Sequence, residues 1–120
     1  MGLTSVTVAI KALAGDRPAY EAVFLVDTGA TDCLVPGGAL RKSGVREEGR
    51  TVYELGDGTV QEYAFGLARI EFMGEVTAGR VILGPDDVEP LLSVTALESV
   101  GITVDPANRT LKWLPAVPLK

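Results

Sequence analysis

Sixteen carboxylates, one cysteine and no histidine set the chemistry open to this chain. Without histidine, a serine or cysteine nucleophile lacks its usual base, and a conventional zinc site lacks ligands. Hydrolysis would therefore have to rest on carboxylates. Asp27 stands out by its setting, because it closes the apolar run Ala22 to Val26 and opens Asp27-Thr28-Gly29-Ala30. The apolar approach fixes the carboxylate in place and lowers the local dielectric. Gly29 removes a side chain so that backbone amides can come close, and Thr28 supplies a small hydroxyl to anchor the turn. A lone carboxylate is an indifferent catalyst. Two that face each other cannot both ionise, so they share a proton and titrate as a unit. The charged member can then take a proton from water while the protonated member polarises a carbonyl. The chain has a single Asp-Thr-Gly, so the second carboxylate must come from another copy across a two-fold axis.

The other acidic and sulfur-bearing residues invite plainer readings. Asp32 lies near Asp27 in sequence but reads as a solvated or locally hydrogen-bonded residue. Asp57-Gly58 is a tight-turn signal. Asp86-Asp87 with Glu89 reads as an acidic surface loop, since the spacing of a calcium loop is absent, and no metal site is expected. Cys33 reads as a small buried hydrophobe rather than a redox switch. Trp113, with Leu111 and Leu114, fits either a dimer anchor or part of the core.

The elements that must hold Asp27 are mostly strands. Ser5 to Leu13 carries the β-branched residues Val6, Thr7, Val8 and Ile10, and the turn Gly15-Asp16-Arg17-Pro18 leads to a second strand, Tyr20 to Val26. The apolar end of that strand predicts burial on both faces. Ala39 to Ser43 fits one helical turn stopped by Gly44. Arg50 to Leu55 and Thr59 to Phe65 form a hairpin through Gly56-Asp57-Gly58, and Leu67 to Phe72 pairs with Val76 to Leu83 across Met73-Gly74-Glu75. Thr95 with Glu98 predicts a capping box opening a short helix at Ala96-Leu97, with Gly101 as its stop. Ile102 to Val104 and Thr110 to Leu114 are closing strands around Asp105-Pro106-Ala107-Asn108. Leu91-Leu92-Ser93 in the second half is a loose counterpart of the run into Asp27.

The chain of 120 residues, 47% hydrophobic and 22% charged, reads as one globular domain spanning 1–120. Few aromatics imply an aliphatic core. Its net charge of −5 and scattered cations, apart from Arg41-Lys42, argue against nucleic acid as a partner. No apolar run is long enough for a membrane span. Met1-Gly2-Leu3-Thr4-Ser5 lacks the pattern of a signal peptide, and a lone cysteine offers no internal disulfide. A cytoplasmic protein is expected.

Several segments together resemble the retropepsin-like aspartic peptidases, bacterial members among them. Val26-Asp27-Thr28-Gly29-Ala30-Thr31 followed by Leu34-Val35-Pro36 is similar to that family's active-site turn. Tyr53-Glu54-Leu55-Gly56-Asp57-Gly58-Thr59 resembles its substrate-covering flap. Pro90 to Ile102 resembles its paired-hydrophobic-Gly segment and helix, and Val104 through Leu111 its closing hairpin. The resemblance spans roughly Leu25 to Leu111 in the family's order. It implies a mainly β, closed barrel-like acid-protease fold with one short helix in the C-terminal half, working as a homodimer. It also implies an aspartic endopeptidase that hydrolyses peptide or protein substrates without a cofactor. Asp27 would be catalytic. Thr28 would bond across the dimer beneath the aspartates, and Gly29 would shape the turn and contact substrate, with Ala30, Gly56, Asp57 and Gly58 also on the substrate side. Ser93 departs from the pattern, which usually has glycine there. That departure motivates the alternative of a catalytically inactive module that keeps the fold for peptide binding or dimerisation.

Overall fold

The computed structural model of the protein describes residues 4–119. Met1 to Leu3, part of the segment read for a signal peptide, lie outside them. The chain runs β1 (Ser5–Ala12), β2 (Tyr20–Asp27), β3 (Cys33–Pro36), α1 (Gly37–Lys42), β4 (Gly49–Glu54), β5 (Val60–Phe72) and β6 (Glu75–Gly84). It ends with β7 (Leu91–Ser93), α2 (Val94–Ser99), β8 (Ile102–Asp105) and β9 (Thr110–Trp113). The main sheet has the order β1-β2-β7-β3-β6-β5-β4, and an added β1–β5 pairing closes six of its strands into a barrel. Strand β4 remains outside that ring, bonded only to β5. Strands β8 and β9 form a separate pair. Among the described residues no helix is long and apolar enough to cross a membrane.

Alternation builds the barrel wall. In β1, Val8 and Ile10 are fully buried while Ser5 and Thr7 face out, the period-two pattern of a sheet with one face on a core. The last four residues of β6, Val81 to Gly84, are all buried, as expected where a strand lies between neighbours and beneath a helix. The core is aliphatic apart from Phe24 and Phe72, with Leu40, Leu92, Leu97 and Ile102 among its best-buried members.

The structure departs from the sequence expectations in three places. The two segments Thr59 to Phe65 and Leu67 to Phe72 are one strand of 13 residues, β5. Gly66 lets it continue, because a Cβ there would stand 2.5 Å from the Arg46 carbonyl and 2.7 Å from Val45 Cγ1. The end of β2 is not buried on both faces within one chain: Phe24 is fully buried, but Val23 is 62% exposed. Helix α2 starts at Val94 with Ser93 as its cap, so the expected box of Thr95 and Glu98 does not form. The helical turn read at Ala39 to Ser43 forms as the six-residue helix Gly37–Lys42. Gly44 and Gly101 follow the two helices at φ +88° and +73°, as their stop positions predict.

Candidate active site

Strand β2 delivers Asp27 to the site. It runs antiparallel to β1 and parallel to β7, with Leu25 beside Leu91, Val26 beside Leu92 and Asp27 beside Ser93. The loose counterpart seen in sequence is thus an aligned pair of strands. Backbone bonds from Leu25 N–H to the Pro90 carbonyl and from Val26 N–H to the Thr4 carbonyl, at 3.0 and 2.8 Å, fix the strand just before the acid. The chain then turns. Ala30 N–H donates to the Asp27 carbonyl at 3.0 Å, and the Ala30 carbonyl accepts from Val94 N–H at 3.0 Å, so the turn is tied to the start of α2.

The Asp27 carboxylate is half-buried and accepts a hydrogen bond from Gly29 N–H at 2.9 Å. A Cβ on residue 29 would come within 3.3 Å of the same carboxylate oxygen. Glycine there gives the amide its close approach, as the motif predicts. The side of the site opposite the strand is open. A cleft of about 660 Å³ is lined by Asp27, Gly29, Ala30, Asp32 and Leu34, and on its far wall by Thr51 to Gly56 with Tyr63 and Arg80.

Not every residue singled out in sequence meets in that cleft. Gly56 lines it, whereas Asp57 and Gly58 lie beyond it at the hairpin tip. Asp57 there accepts from Thr59 N–H at 3.0 Å and from the Thr59 hydroxyl at 2.6 Å. Those bonds, the hydroxyl first, hold the Asp57 carboxyl below its ordinary range. Thr28 is exposed and lines a different cavity of about 420 Å³, together with Val94, Leu97, Ile102, Val104 and Leu114.

Ser93 fits the place where glycine is usual in the resembled pattern. It is 3% exposed, and its hydroxyl accepts from Ala96 N–H at 3.1 Å as the cap of α2. Its backbone N–H and hydroxyl both lie 3.4 Å from Cys33 Sγ. Cys33 is fully buried, and that burial pushes its thiol pKa up, the behaviour of an inert core cysteine. Asp86 is likewise structural, since its carboxylate accepts from Gly38 N–H at 2.8 Å in the first turn of α1.

The sequence did not point to the polar wall facing Asp27. Tyr53 donates its phenol proton to Asp32 at 2.7 Å. Burial first, and then that bond to a carboxylate, push the Tyr53 pKa up to about 12. Asp32 is therefore bonded across the cleft and not within its own turn. Arg80 donates to the Thr51 hydroxyl at 2.9 Å and lays its guanidinium 4.0 Å from the centre of the Phe65 ring. These partners lie 21 and 29 positions apart in the chain, and only the alternation of Thr51 and Tyr53 on one face of a strand hinted at them. Trp113 is 52% exposed and donates to Glu75 at 3.1 Å, so it is not a core residue.

No protein-family model matches the sequence, and no curated protein matches it either. Solved structures do match the fold. The simian foamy virus (mac) protease gives a TM-score of 0.55 at 18% identity, over 78% of this chain and 91% of that one. The retroviral protease-like domain of Ddi1 from Leishmania major gives 0.55 at 15% identity, over 96% of this chain and 92% of that one. A retropepsin-like aspartic protease from Rickettsia conorii gives 0.52 at 20% identity, over 87% and 85%. The class defined by the barrel and the turn on β2 is the retropepsin-like fold. Within it, this chain carries one Asp-Thr-Gly turn, at Asp27.

Proposed function

We propose that the protein is an aspartic endopeptidase that works as a homodimer, with Asp27 and Asp27 of the partner subunit as its catalytic pair. The observation that carries this reading is the placement of Asp27. Its carboxylate, oriented by the Gly29 amide at the end of a strand bonded on both sides, opens onto a cleft of about 660 Å³ walled by the β4–β5 hairpin. Two carboxylates brought to about 3 Å would repel by about 5 kcal/mol at an effective dielectric of about 20. One proton held between them relieves that repulsion.

The charged carboxylate takes a proton from water as its oxygen adds to the scissile carbonyl carbon, and the protonated carboxyl donates to the carbonyl oxygen. Collapse of the resulting diol breaks the C–N bond, with the leaving nitrogen taking a proton from the pair. No cofactor enters this scheme. Thr28 and Gly29 support the turn, Gly29, Ala30 and Gly56 line the peptide's path, and Asp57 with Gly58 shapes the tip of the covering hairpin.

The partner's place is supported by the face around Thr28. The cavity there is lined largely by apolar side chains from α2 and β8, and it continues into a tail with exposed Leu114, Val117 and Leu119. Burial of such surface favours association. Ser93, which motivates a purely binding reading, is absorbed as a helix cap without loss of the pairing beside Asp27, and this favours the enzymatic reading. Action in the cytoplasm, where a lone buried thiol stays reduced, is part of the proposal.

The test is Asp27→Asn. The variant should fold, dimerise and cleave no member of a diverse peptide library between mildly acidic and neutral pH. The unaltered protein should cleave and be blocked by a statine-type mimic. Persistent cleavage by a clean Asp27→Asn preparation would remove the mechanism.

A further inference from the structure

Among the described residues, strand β4 has one backbone neighbour, β5, and no strand on its other edge. Its side chains alternate: Arg50, Val52 and Glu54 are exposed, while Thr51 and Tyr53 turn inward over the cleft. Both inward residues end on groups outside the hairpin. The Tyr53 phenol donates to Asp32 in the loop that follows the Asp27 turn, at 2.7 Å. The Thr51 hydroxyl accepts from Arg80 on β6, at 2.9 Å. The tyrosine is steadied from behind by Tyr63 of β5, whose ring centre lies 6.3 Å away at 51°. Residues Leu55 to Thr59 at the tip are all exposed, and their recorded bonds stay inside the hairpin.

We infer that Tyr53 is the positioning residue that holds the β4–β5 hairpin over the cleft, through its hydrogen bond to Asp32. This inference rests on the peptidase reading for its consequence and on the structure alone for its geometry. A two-stranded arm with a free edge is marginal by itself, so its height above Asp27 depends on what fastens its inward face. The Thr51–Arg80 bond lies two residues nearer the barrel and fixes the base of the arm. The Tyr53–Asp32 bond is the last fastening before the tip, and its acceptor is five residues from Asp27. A bond to a carboxylate is stronger than one between neutral groups. A peptide entering the cleft must lift the arm against that bond, and re-formation of the bond sets how closely the arm settles on the peptide.

The experiment compares Tyr53→Phe, Asp32→Asn and the double variant in the full chain. Tyr53→Phe keeps the ring against Tyr63 and removes the hydroxyl, and with it the bond to Asp32 and the contact with Arg80. Amide exchange in β4 and the distal half of its pairing with β5, Val52 to Gln61, should quicken about tenfold, with exchange in β1 and β6 unchanged. Asp32→Asn keeps an acceptor and should show a smaller effect, and the double variant should be no faster than Tyr53→Phe, because both changes act on one bond. On the peptidase reading, Tyr53→Phe also raises KM severalfold with a smaller change in kcat. Exchange that is unchanged in Tyr53→Phe, or that quickens equally throughout the barrel, would overturn the inference. Selective loosening of the arm in a protein that cleaves no peptide would uphold Tyr53 as the fastening and defeat the peptidase reading instead.

Discussion

Replacing Ser93 by alanine tests how this chain manages with serine where the pattern it resembles usually has glycine. The side chain is 3% exposed, and its oxygen receives the Ala96 amide at 3.1 Å. Ala96 is itself buried, so that amide has no ready access to water once the oxygen is gone. Loss of an N-cap costs about 1 kcal/mol, and an orphaned buried donor carries the total towards about 2 kcal/mol. The contact with Cys33 adds little, because a thiol is a weak hydrogen-bonding partner. The unfolding entropy of a chain this size is about 0.25 kcal/mol per kelvin, so Tm should fall by about 4–8 °C. Urea unfolding at one fixed protomer concentration, which the proposed dimer makes necessary, should show a lower midpoint at unchanged slope. Exchange of the Ala96 amide should quicken more than exchange in β5. A stability change below about 0.3 kcal/mol would refute the capping argument, and with it the account of how Ser93 is accommodated.

The remaining predictions concern the turn, the long strand and the hairpin tip. Gly29→Ala puts a carbon 3.3 Å from the Asp27 carboxylate oxygen. It should lower kcat/KM by at least about tenfold while stability stays within about 0.5 kcal/mol, and full cleavage would contradict it. Gly66→Ala forces a carbon to within 2.5 Å of the Arg46 carbonyl, so a loss of about 1–3 kcal/mol is expected in chemical denaturation. Asp57 is held below its ordinary pKa chiefly by the Thr59 hydroxyl, so it supports the tip throughout the range above the ordinary carboxylate value. That support fades as pH falls through the lowered value. In Thr59→Val the Asp57 carboxyl should titrate closer to its ordinary value when followed by NMR, and an unmoved titration would show that the hydroxyl is not the cause.

Much of this layout was legible because local chemistry and global fold agree at those points. Asp27-Thr28-Gly29 has an apolar strand before it and a glycine where the amide must reach the carboxylate, and both requirements are short-range. The Asp57-Gly58 turn and the Gly44 and Gly101 stops are local in the same way. Wherever tertiary context decided, the sequence misled or was silent. Gly66 resembled a break between strands because nothing in the chain announces that Val45 and Arg46 lie against it. Thr95 with Glu98 satisfied a local capping rule, but Ser93 won because its pairing opposite Asp27 had already fixed where the helix must begin. Asp32 looked like a locally bonded residue, since its partner Tyr53 comes from a strand on the far side of the cleft.

The parallel contact between β2 and β7 also has a consequence for the order of events during synthesis. Val26 and Leu92, neighbours in the sheet, are separated by half the chain. A growing polypeptide exposes the Asp27 turn early, yet its second flank emerges only after Leu91 to Ser93 have been made. Contacts so distant along the chain favour slow, late consolidation. The Asp27 turn is thus made well before the strand that completes its frame, and a chain broken off between them holds the carboxylate without that second flank.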